Sequence, residues 1–265
     1  MLINSKHLRG LSIHATDGEL GTVDELYYED ETWVIRYLTV DTGNWLSGRH
    51  VLLSPISVLQ IDWDAKSLSV SLTKKQVENS PDIDTHQPVS RQHEADYYGY
   101  YGYPFYWGGP YLWGTGFYPE DLAASVASPS KSLEKIQVES ADAHLRTADA
   151  LIGSHVEASD GVAGHVDGLI LDDKTWTIRY LEVATRDWWP GKKILLSPDW
   201  VERIKPEDSK LYVSLNREAM KNSPAYEEFS PITREYENQL HLHYNRPPYW
   251  QHETQHKSSF SLSDV

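Results

Sequence analysis

Two arginines invite a chemical reading first. Arg36 and Arg179 each stand inside an apolar run, Ile35-Arg36-Tyr37-Leu38 and Ile178-Arg179-Tyr180-Leu181, and each follows an aspartate, Asp24 or Asp167, by twelve residues. A guanidinium so placed can serve as an anion site or charge relay, or can pair with the aspartate and reach the rim of a core. Histidines form a second set: His241-Leu242-His243 suits one face of a strand, whereas His252 and His256 suit one face of a helix. The two geometries conflict, and the first half carries Tyr98, Gly99 and Tyr100 in the matching segment, so no metal is assigned. The third set is aromatic, Tyr97-Tyr98-Gly99-Tyr100-Tyr101-Gly102-Tyr103-Pro104-Phe105-Tyr106-Trp107, with Trp250 closing the matching segment later. It reads either as an adhesive surface for a partner, through Tyr98, Tyr100, Tyr103 and Trp107, or as a strip that completes the core. The chain has no cysteine, which excludes thiol catalysis, zinc-thiolate sites and disulfides. No nucleophile elbow, phosphate loop, dinucleotide fingerprint or His-Glu-x-x-His motif occurs, so no catalytic residue and no cofactor is assigned.

The elements that must position these residues occur twice. Thr32-Trp33-Val34-Ile35-Arg36-Tyr37-Leu38-Thr39-Val40 returns 143 positions later as Thr175-Trp176-Thr177-Ile178-Arg179-Tyr180-Leu181-Glu182-Val183. That single offset, without gaps, aligns Asp17-Gly18 with Asp160-Gly161, Leu52-Leu53-Ser54-Pro55 with Leu195-Leu196-Ser197-Pro198, and Tyr106-Trp107 with Tyr249-Trp250. About forty positions are identical over the register, which identifies two copies of one folding unit.

In the first copy Ser5 to Leu8 predicts a turn, Leu11 to Ala15 a strand, and Asp17-Gly18 a hairpin, because glycine accepts the positive φ of tight turns. Gly21 to Tyr28, Trp33 to Val40, His50 to Leu53, Val58 to Ile61 and Leu68 to Leu72 follow as strands, with Ser54-Pro55 as a stop. The strand from Trp33 is apolar on both faces and must be covered on both, which favours a small closed barrel. Thr73 and Asn216 cap short helices. A helical arm runs from Ser90 to about Tyr101 and again from Thr233 to about Tyr244. The organisation expected is barrel 1 over 1–81, arm 1 over 82–107, a linker over 108–143, barrel 2 over 144–224, arm 2 over 225–250 and a disordered tail over 251–265.

A formal charge of −15 disfavours phosphate backbones and anionic membrane surfaces, and Lys and Arg sit beside acids, as in Arg91 to Glu94 and Arg234 to Glu237. The first residues lack an apolar targeting core, and no window approaches the ~18 apolar residues of a membrane span. The expectation is a soluble cytoplasmic protein that binds neither nucleic acid nor membrane.

The Asp17-Gly18 hairpin, the run Ile35-Arg36-Tyr37-Leu38-Thr39-Val40-Asp41-Thr42-Gly43 and the run Trp45-Leu46-Ser47-Gly48-Arg49-His50-Val51-Leu52-Leu53-Ser54-Pro55 resemble the PRC-barrel family. That family is named for the C-terminal domain of the photosynthetic reaction-centre H subunit. The resemblance implies a mainly β chain: two tandem small six-stranded PRC-type β-barrels, each with short appended C-terminal helices. It further implies a non-enzymatic protein-binding or scaffold role, linked to membrane-complex assembly or to stress. Ala184-Thr185-Arg186 replaces Asp41-Thr42-Gly43, so that loop has no shared ligand role. A tandem duplication mimics a homodimer, so packing of the barrels on each other is expected, with homo-oligomerisation as a further option. The alternative is a small-ligand-binding protein or enzyme with a pocket between the barrels, lined by Trp45, Trp188, Trp189, Arg36 and Arg179.

Overall fold

A computed structural model of the chain describes residues 1–46, 49–81, 89–125, 144–185, 191–228 and 230–251. The first copy contains β1 (Leu2–Asn4), β2 (Ser12–Ala15), β3 (Gly18–Glu29), β4 (Ile35–Asp41), β5 (His50–Leu53), β6 (Val58–Asp62) and β7 (Ser67–Val70), then α1 (Lys74–Glu78) and α2 (Arg91–Tyr101). After α3 (Pro119–Ser125) the second copy supplies β8 (Leu145–Thr147), α4 (Ala148–Leu151), β9 (His155–Ala158), β10 (Gly161–Asp172), β11 (Ile178–Ala184), β12 (Lys193–Leu196), β13 (Val201–Lys205) and β14 (Lys210–Val213). The helices α5 (Arg217–Lys221) and α6 (Arg234–His243) complete it. The protein is mainly β, as its sequence implies, with two sheets.

One sheet runs β5-β4-β3-β2-β7-β6 and the other β12-β11-β10-β9-β14-β13. Each gains one strand from the other copy's sequence: β8 pairs with β3, and β1 pairs with β10. The chain accordingly falls into two compact units that do not follow the repeat boundary. One holds Met1, 3–152 and 168–179; the other holds Leu2, 153–167 and the chain from Tyr180 onward.

The Asp17-Gly18 and Asp160-Gly161 hairpins form as expected, and each tip is tied down. Asp17 Oδ1 accepts from the Lys74 amide at 2.7 Å, and Asp160 Oδ1 from the Arg217 amide at 2.8 Å. Thr73 caps α1 in a full capping box and Asn216 caps α5. At Gly21, with φ +139°, a Cβ would lie 2.0 Å from the Asp41 carbonyl oxygen, so only glycine lets β3 approach β4 there. Gly164 repeats this against Ala184.

Three expectations are corrected. The central strand begins at Ile35, not Trp33, because Trp33 and Trp176 both adopt a left-handed φ of 58° and 59°. Their carbonyls thereby accept from the Ile178 and Ile35 amides, each at 2.7 Å. The closed barrel is found as an open sheet: among the described residues no ladder joins β5 to β6. At that seam Ser54-Pro55 leads into a single 3-10 turn, Pro55–Ser57, where proline has no N–H to donate. The described part of the segment read as a linker is packed. Trp113 is fully buried and donates to the Thr175 carbonyl at 3.0 Å, Leu122 is buried, and α3 lies against the Pro55–Ser57 turn. The linker's remaining residues, 126–143, and the tail from 252 lie outside the described residues.

Candidate functional site

Arg36 is 1% exposed and sits in a closed cage. Its Nη2 donates to Glu29 Oε2 at 2.5 Å and its Nη1 to the Leu112 carbonyl at 2.6 Å, while the guanidinium lies 3.7 Å from the Tyr106 ring centroid and 4.8 Å from that of Trp113. Burial pushes the Glu29 carboxyl up, but Arg36, the Thr32 hydroxyl and Arg91 outweigh it and hold the group below its ordinary range. The Arg36–Asp24 pair expected from spacing is therefore corrected. Bulges at Val23/Leu26 and Tyr27/Tyr28 shift β3 along β4, so the carboxylate that meets Arg36 is Glu29. Asp24 instead faces His50 at 3.6 Å. In the second copy Arg179 approaches Asp172 at 3.6 Å, and Asp167 binds Lys193 at 2.8 Å.

A buried carboxylate recurs at the root of each arm. Glu94 Oε1 accepts from the Tyr37 hydroxyl at 3.1 Å and the Tyr106 hydroxyl at 2.8 Å, and Oε2 lies 3.2 Å from Arg91 and 2.7 Å from His144 Nε2. Glu237 repeats the pattern with Tyr180 at 2.9 Å, Tyr249 at 3.0 Å and Arg234 at 3.1 Å. Burial, then the nearby carboxylate, pushes the Tyr37 and Tyr180 hydroxyls far above their ordinary range, so they act as hydrogen-bond donors at all working pH. The Arg91–Glu94 and Arg234–Glu237 adjacency was visible in sequence; the two tyrosines that complete each site were not connected to it.

In the second copy Lys193 Nζ lies 2.8 Å from Asp167, 2.5 Å from Glu182 and 2.6 Å from Glu228. Burial lowers the ammonium's pKa, but the three carboxylates outweigh it and raise it.

Residues 2–77 match the family model described as the PRC-barrel domain. The chain carries a PRC-barrel domain. An uncharacterized protein of Deinococcus radiodurans is 34% identical to it over 84 residues, 31% of this chain and 30% of that relative. The match thus spans less than a third of the relative's length.

The aromatic run, which follows the matched domain, is mostly core. Tyr98 is fully buried and meets Tyr37, Tyr97, Tyr103, Phe105, Tyr106 and Trp107 with ring centroids 5.4–6.5 Å apart. Tyr103 stacks on Tyr101 at 5.5 Å and Trp107 on Phe105 at 4.6 Å, while Arg91 covers Trp107 at 4.6 Å. Tyr100, 42% exposed, is the outward member and donates to the Gln76 carbonyl at 2.8 Å. The adhesive-surface reading is overturned for Tyr98, because α2 turns its Tyr97/Tyr98 side onto β4; Tyr103 and Trp107 are half-buried. Trp250 packs in the second arm, 3.9 Å from Arg234 and 5.4 Å from His241. Trp45 donates to the Leu20 carbonyl at 2.6 Å beneath Lys74, and the buried Arg36 offers no wall to a pocket. Trp188 and Trp189 lie outside the described residues.

His241 and His243 sit on a helix, not a strand, and diverge: His241 is buried beside Tyr180 at 3.1 Å, and His243 Nε2 meets the Ala219 carbonyl at 2.8 Å. His252 and His256 lie outside the described residues, and among those described no group of three His, Asp or Glu is arranged to hold a metal. A cavity of about 310 Å³ opens between the first turn, β3 and α4, lined by Ser5, Lys6, Arg9, Glu25, Asp149 and Ile152 among others. Among the described residues no helix is long and apolar enough to cross a membrane.

Proposed function

We propose that the protein is a non-enzymatic binding and assembly module whose docking strand is β6, and that its occupant is an extended, basic segment of a partner protein. The observation that carries this is Leu59, 65% exposed on the terminal strand of its sheet. It sits at a bulge between Val58 and Gln60 that turns it out of the ladder, with Asp62 and Asp64 exposed beyond it. An edge that presents an apolar side chain is a template for an added strand, and proteins that do not use theirs place charge there. The second copy does so: Glu202, Arg203 and Lys205 stand where the first has Leu59, Gln60 and Asp62. Arg203 covers the Tyr212 ring at 4.3 Å and Lys205 pairs with Asp208 at 3.8 Å. The chain's net charge of −15 selects a basic partner.

This reading takes the first sheet as a PRC-type barrel left unzipped between β5 and β6 and the second as one left unzipped between β12 and β13, with α3 resting on the Pro55–Ser57 turn at one end of the first seam. It assigns no chemistry, because the buried ionisable groups, Arg36 with Glu29 and Glu94 with its two tyrosines, are occupied by one another. Scaffolding within a larger assembly is the role that fits.

A photo-crosslinking residue placed at position 59 of the full chain, in the cell that makes it, tests the proposal against the same residue at position 202. Expected is an adduct at 59 that maps to an extended basic segment, and a synthetic peptide of that segment that binds the wild type but not Leu59→Arg. Equal adducts at both positions, no adduct at 59, or a peptide indifferent to Leu59→Arg would overturn it.

A further inference from the structure

Arg9, Glu25 and Asp149 come together from three elements far apart in sequence. Arg9 follows the turn after β1, Glu25 lies on β3, and Asp149 opens α4 directly after β8. Arg9 Nη2 lies 2.7 Å from Asp149 Oδ2 and 3.3 Å from Glu25 Oε2, and its Nε donates to the Asp24 carbonyl at 2.6 Å. Glu25 Oε1 accepts from the Leu26 amide at 2.8 Å, and the Glu25 and Asp149 carboxyls converge on the same Arg9 nitrogen, which brings them close enough to interact through a shared proton. Two carboxyl groups can share a hydrogen bond only while one of them keeps a proton. One guanidinium balances the pair in that state and falls one charge short when the proton leaves.

The position of this cluster gives it leverage. β8 is the second copy's leading strand, pairing Leu145, Arg146 and Thr147 with Glu29, Tyr28 and Tyr27 of β3. Besides the ladder, Arg146 is held by Asp30 at 2.6 Å. Past β8, the cluster fastens α4 to β3 beside the cavity described above, which gives water a route to the carboxyls.

We propose that Glu25, Asp149 and Arg9 form a proton-operated clasp, which holds β8 and α4 on β3 while one proton sits between the carboxyls and loosens when that proton is lost. Burial is the largest influence on Glu25 and raises its pKa; the hydrogen bond with Asp149 raises it further, the Leu26 amide and Arg9 oppose, and the result is about 7. The Asp149 carboxyl, although burial pushes it up, is held down by its hydrogen bonds to Arg9 and Glu25. The other charged groups facing the pair are Lys6 on the cavity wall and Asp24, itself 3.6 Å from His50.

Between the ordinary glutamate range, near ~4.3, and the folded value, the folded chain holds a proton that the unfolded chain has released. Attachment of β8 therefore weakens as pH rises through that interval and levels off above about 7. The clasp is tight in mildly acidic surroundings and slack at and above neutrality.

Hydrogen exchange on the full chain, corrected for intrinsic rates, tests this. From pH 5.5 to 7.5 the protection of the Arg146 amide, which pairs with Tyr28 of β3, should fall by about tenfold to thirtyfold. In Glu25→Gln, whose amide keeps a donor at every pH, the protection should stay flat. An equal fall in Glu25→Gln, or none in the wild type, would overturn the proposal. Should that variant not fold, a carbon-13 titration of Glu25 in the wild type decides: a midpoint near neutrality supports the clasp, and one in the ordinary carboxylate range refutes it.

Discussion

The amide of Ile35 donates to the carbonyl of Trp176 at 2.7 Å, and 143 positions on the amide of Ile178 returns the bond to Trp33 at the same distance. Both tryptophans adopt left-handed backbone that a bulky residue normally avoids. The two strained residues orient the two carbonyls that receive these bonds, and Val34 and Thr177 bridge between them. Because each bond sits beside fully buried side chains, both amides should exchange only through unfolding of this unit. Native-state hydrogen exchange should give Ile35 and Ile178 the same protection, near the largest in the protein. Protection of one but not the other would show that the reciprocal pair is not maintained in solution.

Arg36→Met removes the cation that Glu29 faces while leaving the carboxylate buried. Breaking one side of a buried pair costs about 3–5 kcal/mol, and the additional Glu29→Gln change should recover a large part of it. Urea unfolding of the wild type, the single variant and the double variant measures this directly. The depressed Glu29 pKa also fixes a sign: its contribution is complete above the ordinary glutamate range and is lost as pH falls through the lowered folded value.

What the sequence made legible was local. Asp17-Gly18, the Thr73 and Ser90 caps and the Ser54-Pro55 stop each act through bonds within a few residues, and each forms. What it hid depends on register and on partners distant in the chain. Asp24 recurs in both copies and looked like the partner of Arg36, but two bulges in β3 hand that role to Glu29. A usable signal was the acid kept beside the turn in both copies, Glu29 and Asp172, seven residues before each arginine. Glu94 and Glu237 gave another, since an acid held constant in an arm that otherwise drifts has a buried partner to satisfy. The strand made by Leu145-Arg146-Thr147 had no signal of its own: three residues carry no period, and their partner lies over a hundred positions away.

The aromatic arm separates core from surface at adjacent tyrosines. Tyr98→Ser deletes a fully buried ring and should cost about 3–5 kcal/mol. Tyr100→Ser loses one exposed hydrogen bond and an edge contact with Tyr101 and should stay within about 1 kcal/mol. Denaturant midpoints for the two variants check the contrast. A mild effect of Tyr98→Ser would return the arm to the surface, where a docking role would again be open to it.

Lys193 offers the sharpest contrast between the copies. Its ammonium is the common counter-charge of Asp167, Glu182 and Glu228, and Glu182 is fully buried. The first copy has His50 and Thr39 at the positions of Lys193 and Glu182, with Asp24 3.6 Å from the histidine. Lys193→Met therefore removes the cation that these three carboxylates share and should destabilise the protein by about 3–5 kcal/mol at neutral pH. Without that ammonium, gathering the three carboxyls favours proton uptake by the folded state, so stability should recover as pH falls from 8 to 5. Millimolar calcium or magnesium should restore stability at pH 8 as well, by placing a divalent ion where the ammonium stood. His50→Met, which uncovers a single exposed aspartate, should cost less than about 1 kcal/mol and respond to neither treatment. Urea unfolding at the two pH values, with and without the divalent ion, reads all of these; a Lys193→Met loss that ignores both pH and cation would show that the lysine matters for its packed stem and not for its charge.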